Sequence, residues 1–245
     1  MSGDERTNRT MSRRNLLGAC ATAGTVGLAG CTSGPLTAEK TVTREYDSTG
    51  VSKLDARAIN GDVAIRDEQR ETVHVEGKKQ ATDEDGLDLV TLRDEQAGER
   101  LSLTVSTEDS GFLALDSPRL RMDLTLTVPE GLQISAKTMN GAIDIETTDA
   151  ERISADTTNG DVSISLAAAS DIEANSTNGD VSISLPTTAE PSVSFETTNG
   201  AVDVSGVEPV SMRSDSETGE TAGNGTHQVT VSTTSGDLSI RGESG

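Results

Sequence analysis

The sequence has almost no aromatic residues: no tryptophan, one tyrosine and two phenylalanines among 245 residues. A core without large rings must be thin and filled by small aliphatic side chains, and the chain offers no aromatic platforms on which nucleobases could stack. Positive charge is scarce as well. Twenty basic residues face 41 acidic ones, and the five lysines (Lys40, Lys53, Lys78, Lys79 and Lys137) all precede residue 140. With no basic patch, nucleic acid is excluded as a partner, and an anionic lipid surface would repel the domain. The two histidines, His74 and His227, have no Cys, His or acidic partner at metal-ligand spacing, and no G-x-S-x-G elbow supports a serine nucleophile. Both read as surface histidines. No apolar run reaches the roughly 20 residues that a membrane-spanning helix needs.

The two cysteines both lie near the start. Arg13 and Arg14 precede a mildly apolar run, Leu16 to Gly30, that is too short to span a bilayer and reads as a processed export signal. The arginine pair and the glycine-rich run resemble a twin-arginine (Tat) signal, and Leu28-Ala29-Gly30-Cys31 resembles a lipobox. Cleavage there removes Cys20 and leaves Cys31 as the first residue, its sulfur carrying lipid. A single remaining cysteine cannot form an internal disulfide, so the fold must be held by other means. The expected organisation is a signal over 1–30, a lipid-anchored tether over 31–47 and one repetitive domain over 48–245. Beyond residue 30 there are 16 basic and 39 acidic residues, net −23. Such an excess of acid repels itself except where salt screens it, and this acidic, lysine-poor composition resembles proteins of halophilic archaea.

The rest of the chain is repetitive. I-S-A-D-T-T-N-G-D-V-S-I-S-L begins at Ile153, and I-E-A-N-S-T-N-G-D-V-S-I-S-L begins at Ile172. With Asn as zero, an apolar residue recurs at minus six, plus three and plus five around Asn60-Gly61, Asn140-Gly141, Asn159-Gly160, Asn178-Gly179 and Asn199-Gly200. A sixth copy has Ser235 before Gly236. Position minus four is small or apolar, and Ser, Thr, Asp and Glu fill the spaces, so each unit is a strand, a sharp turn and a strand with one apolar face. The other face presents hydroxyls such as Ser163, Ser165, Ser182 and Ser184. Asn-Gly would suit a hairpin turn through its positive φ. The near-identity of the turns favours instead the corner of a solenoid, in which like residues stack and asparagines form a ladder.

The expected fold is all-β, a β-solenoid or parallel β-helix-like stack of strand-NG-strand repeats of about 19 to 21 residues. Residues 66–133 alternate as strands, but the sequence does not decide between further coils and a hairpin insertion. The 80 residues between Gly61 and Gly141 suggest about four periods. The polar stretch from Ser214 to Thr226 reads as a loop, and no segment has helical periodicity. The N-G-D-V-x-I units, together with Leu126-Thr127-Val128-Pro129-Glu130-Gly131, resemble the putative-adhesin β-solenoid family, a domain of unknown function. That resemblance spans roughly Leu54 to Ile240 and brings no catalytic residues with it.

Asp62, Asp161, Asp180 and Asp237 follow the turn glycine in four units. Stacked carboxylates could hold Ca²⁺, but Ala142 and Ala201 interrupt the column and the pattern is not that of calcium-binding β-rolls, so turn-forming aspartates are expected. No cofactor is expected. Of two glycosylation sequons, at Asn175 and Asn224, the second is the better candidate because Asn175 lies in a predicted strand. The functional expectation is a non-catalytic, lipid-anchored module on the extracellular face of the cell membrane, structural or adhesive, with a surface glycan or a protein as partner. The alternatives are a calcium-dependent protein that binds or cleaves glycans, and a cell-envelope stress sensor acting through a partner.

Overall fold

The structure, a computed structural model, describes residues 36–107, 120–147, 149–186, 191–207, 210–213, 217–221 and 227–243. The signal-like segment, including Arg13, Arg14 and Cys31, and the sequon at Asn224 lie outside the described residues. In chain order the first strands are β1 (Ala38–Asp47), β2 (Lys53–Arg57), β3 (Val63–Glu68), β4 (Thr72–Ala81), β5 (Val90–Ala97), β6 (Arg100–Thr107) and β7 (Leu120–Pro129). The repeats follow as β8 (Gln133–Asn140), β9 (Ile143–Thr147), β10 (Arg152–Asn159), β11 (Val162–Leu166), β12 (Asp171–Asn178) and β13 (Val181–Pro186). The remaining strands are β14 (Ser192–Asn199), β15 (Val202–Ser205), β16 (Val210–Arg213), β17 (Glu217–Thr221), β18 (Gln228–Ser235) and β19 (Leu238–Glu243).

Two sheets face one another. One runs β1-β4-β7-β3-β9-β11-β13-β19-β15 and the other β16-β17-β14-β18-β12-β10-β8-β2-β6-β5. Each Asn-Gly unit sends its first strand to the ten-stranded sheet and its second to the nine-stranded one, so the corner joins the sheets along one edge. Like residues pair in parallel across units: Ile153 with Ile134 and Ile172, Ala155 with Ala136 and Ala174, and Val162 and Ile164 with Val181 and Ile183. Alternation turns these aliphatic side chains into the space between the sheets, where they are almost fully buried. The largest apolar contribution at minus four is Phe195, and the rest of that column is alanine or valine. No disulfide is needed to hold the layers, because each coil satisfies its backbone on the two beside it.

The stack does not follow the chain. The 19-residue offset holds from β8 through β10 to β12, but the last unit, β18–β19, is inserted between β12–β13 and β14–β15. The other end mirrors this: β2–β3 lies between the β6–β7 layer and β8–β9. Counting four periods from Gly61 to Gly141 is therefore wrong, since Asn60 bridges directly to Asn140. Residues 66–133 turn out to hold both forms left open by the sequence. β6 and β7 make one parallel layer, while β4 and β5 run antiparallel to them and β1 antiparallel to β4. The sheets are mixed, and the consecutive solenoid expected from the repeats is confined to the middle of the chain.

Two smaller expectations are corrected. A short helix α1 (Glu84–Asp88) lies where the sequence shows no helical periodicity, capped by Asp83, whose carboxylate accepts the Gly86 N–H at 2.8 Å. One capped turn is too short to leave a periodic signature. The polar loop expected over 214–226 contains β17, which pairs antiparallel with β14 and β16. Such a cap is held by backbone hydrogen bonds, which place no demand on side-chain pattern. Among the described residues, no helix is long and apolar enough to cross a membrane.

Candidate functional site

The corner edge is where the repeated residues converge, and four columns run along it. Asn140 donates through Nδ2 to Asn60 Oδ1 at 2.8 Å, Asn159 to Asn140 at 2.8 Å, and Asn178 to Asn159 at 3.0 Å. This is the expected asparagine ladder. It ends at Ser235, which stands between Asn178 and Asn199 in the stack.

The glycine column has a second cause beside the positive φ that turn chemistry suggests and that Gly61, Gly160 and Gly179 show at +143°, +155° and +153°. A Cβ on Gly141 would lie 2.0 Å from the Gly61 carbonyl oxygen, and one on Gly160 would lie 1.9 Å from that of Gly141. Gly179, Gly236 and Gly200 repeat the contact at 2.0, 2.0 and 1.8 Å, and Gly61 meets the Met122 carbonyl at 2.0 Å. Close approach of stacked backbones therefore demands glycine at every corner.

The aspartates form the third column. Asp62 Oδ1 accepts the Ala142 N–H at 2.9 Å, Asp161 that of Asp180 at 2.9 Å, Asp180 that of Asp237 at 2.8 Å, and Asp237 that of Ala201 at 2.8 Å. Asp123, on β7, continues the column by accepting the Asp62 N–H at 2.9 Å, and Arg121 bonds both carboxylates. Each carboxylate is thus a staple between adjacent corners. Among the described residues, no three His, Cys, Asp or Glu side chains converge in a way that could hold a metal ion.

The fourth column was missed in the sequence. At minus two, Thr138, Thr157, Ser176, Thr233 and Thr197 are buried, and each hydroxyl donates to a glycine carbonyl in the neighbouring corner, at 3.0, 3.0, 2.9, 3.0 and 3.1 Å. The signal was present: minus two has the same parity as the apolar minus six and minus four, so its hydroxyl must point inward and find a partner.

Away from this edge the strands present two broad polar faces. On the nine-stranded sheet, Asp144, Ser163, Ser182, Ser239 and Asp203 form one row in register, and Glu146, Ser165, Ser184, Arg241 and Ser205 form the next. The opposite face carries Ser135, Ser154, Glu173, Thr230 and Ser194. Beside them the Lys137 ammonium lies 3.0 Å from Asp156, which also accepts from Asn175 at 2.9 Å. Asn175 thus lies in a strand with its amide engaged.

An open crevice crosses the start of β10, β12 and β18, with Asp171 at its centre. The Gln228 N–H bonds Asp171 at 3.1 Å, the Arg152 guanidinium at 3.0 Å, and His227 Nδ1 lies 3.8 Å away. The Gln228 N–H, and then Arg152, hold this carboxyl below the usual range. Asp171 is thereby fixed as an anion that clamps β18 into its slot, the opposite of what a general acid needs. His74 lies on β4 between the fully buried Val73 and Val75, turned to the other face. At the β1 end, Arg44 pairs with Asp94 across the two sheets beside half-buried Tyr46, whose hydroxyl pKa is raised by burial. Lys79 donates to the Leu87 carbonyl at 3.3 Å, and burial lowers its pKa.

Comparison with known proteins gives a consistent assignment of family. A solved structure of a putative cell adhesion protein from Clostridium sporogenes superposes with a TM-score of 0.60 at 14% identity, covering 84% of this chain and all of that one. A putative adhesin from Bacteroides fragilis is similar at a TM-score of 0.36 and 14% identity, over 82% of this chain and 97% of its own. No protein of curated function matches the sequence. The family model matches twice, over residues 51–211 and 137–241. Overlapping matches are natural where units of one pattern can exchange places. With most of its length matched, the chain belongs to the Toastrack DUF4097 family.

Proposed function

We propose that the protein is a non-catalytic, lipid-anchored module of the cell surface that meets a glycan or protein partner through the outer faces of its sheets. One observation carries the reading. The interior is filled by aliphatic side chains, and the polar side chains that reach solvent lie in straight, in-register rows on broad sheet faces. Such rows suit adhesion to an extended surface or polymer, for which many weak contacts at a regular spacing add up. The likeness of fold to the Clostridium protein supports the same reading, as does the strongly negative net charge, which favours solubility.

Cys31→Ser is expected to release the full-length protein into the medium, with retention on membranes contradicting the anchor. A glycan array at high salt, with and without Ca²⁺, tests the face. Binding that needs Ca²⁺ would favour a calcium-dependent lectin, and release of unsaturated sugar would overturn the non-catalytic assignment.

A further inference from the structure

The stack of corners implies a chemical modification site at its end. Asn-Gly is the dipeptide most prone to deamidation, because a glycine nitrogen is unhindered in attacking the preceding side-chain amide. Reaction requires that nitrogen to be free. In the stack, Gly61 N–H donates to the Asn140 carbonyl, Gly141 to Asn159, Gly160 to Asn178, Gly179 to Ser235 and Gly236 to Asn199, at 2.9 to 3.0 Å. Every bond points the same way along the stack, so the series must end on a glycine whose N–H meets no further corner among the described residues.

That glycine is Gly200. β14–β15 is the last complete layer, and β17 beyond it pairs only with Ser194 to Thr197, short of the corner. Among the described residues the Gly200 N–H has no partner. The Asn199 side chain is equally detached. It is exposed, and among the described residues its one side-chain hydrogen bond is a long one, Nδ2 to the Thr234 carbonyl at 3.4 Å.

We propose that, among the five Asn-Gly corners of the stack, Asn199 is the one that deamidates in the folded protein, and that Asn60, Asn140, Asn159 and Asn178 are protected by their neighbours. Hydroxide removes the Gly200 amide proton, the nitrogen bonds to the side-chain carbonyl carbon of Asn199, and ammonia leaves to give a succinimide. Water then opens the ring at either carbonyl, giving aspartate or isoaspartate at position 199. The product adds a negative charge at the exposed last corner of the stack.

The sequence contains its own control. Thr157-Thr158-Asn159-Gly160 and Thr197-Thr198-Asn199-Gly200 are the same tetrapeptide in two environments. Wild-type protein is incubated at mildly alkaline pH, folded at high salt or unfolded in guanidinium chloride, and deamidation at each asparagine is followed by peptide mass spectrometry. Unfolded, Asn159 and Asn199 convert at similar rates. Folded, Asn199 converts at least about tenfold faster, since every other corner must first open locally. Ser235→Asn adds an Asn-Gly whose glycine N–H is already bonded to the Asn199 carbonyl, and it is expected to convert as slowly as Asn159. The proposal is overturned if folded Asn159 or Asn178 keeps pace with Asn199, or if Asn199 is as slow as they are.

Discussion

Replacing Gly160 with alanine separates two explanations of the corner. If glycine serves the turn, the cost is that of an unfavourable φ, about 1–2 kcal/mol. If it serves the stacking as well as its own φ of +155°, the cost must be larger. The new Cβ would lie 1.9 Å from the Gly141 oxygen, where carbon and oxygen normally keep about 3.3 Å, so the two corners must part by more than about 1 Å. Layers spaced about 4.8 Å apart cannot absorb that without stretching the bonds from Gly141 N–H to Asn159 and from Thr157 to the Gly141 carbonyl. Overpacking at about 1–3 kcal/mol, with two hydrogen bonds weakened at about 1 kcal/mol each, gives a loss of roughly 3–5 kcal/mol. For a domain of this size that lowers Tm by about 6–20 °C. Gly131→Ala is the matched control, with φ +79° and nothing within 4 Å of the added carbon, and it should lose no more than about 8 °C. Both are read by calorimetry at high salt. Equal losses in the two variants would refute the stacking argument.

Two further predictions concern the polar contacts of the stack. Thr157→Val keeps the shape of the buried side chain but removes its bond to the Gly141 carbonyl, and should cost about 1–2 kcal/mol in urea denaturation, whereas Ser163→Ala on the exposed face should change stability by less than about 0.5 kcal/mol. Asp171 has its carboxyl pKa lowered by the Gln228 N–H, so its contribution is present above the unfolded carboxylate pKa and is lost as pH falls through the lower, folded value. Asp171→Asn should therefore flatten the decline of Tm below about pH 4, and an unchanged acid limb would remove this clamp from the account.

Much of this fold was legible because parallel stacking places like residues on like. Ile153 and Ile172 pair, as do Asn159 and Asn178, so the repeat in sequence was a direct record of neighbours in space. Where neighbours come from different parts of the chain the record fails. Nothing in the spacing of Asn60 and Asn140 says that they touch, and nothing local to Val229 says that its strand lies between Ile172 and Val193. The aspartate column was visible as a pattern, but its use was not, because a carboxylate that accepts a neighbouring N–H and one that awaits a cation have the same spacing. Thr157 and its equivalents were hidden by composition. In a chain rich in serine and threonine, buried hydroxyls do not stand out from exposed ones until their parity is counted.

The insertion of β18–β19 also bears on how the chain is made. The ribosome releases β14–β15 before β18–β19 exists, and the Asn-Gly units are alike enough that the first can dock onto β12–β13, in the slot meant for the second. The native order is reached only when β18–β19 arrives and takes that place, with the Asp171 bond to Gln228 fastening it. Two similar pairings of high sequence separation therefore compete for one slot, and exchange between them is expected to slow folding. A nascent chain stalled short of Gln228 would hold a plausible stack in the wrong order, and loss of the final strands would remove a middle course from the wall instead of its top.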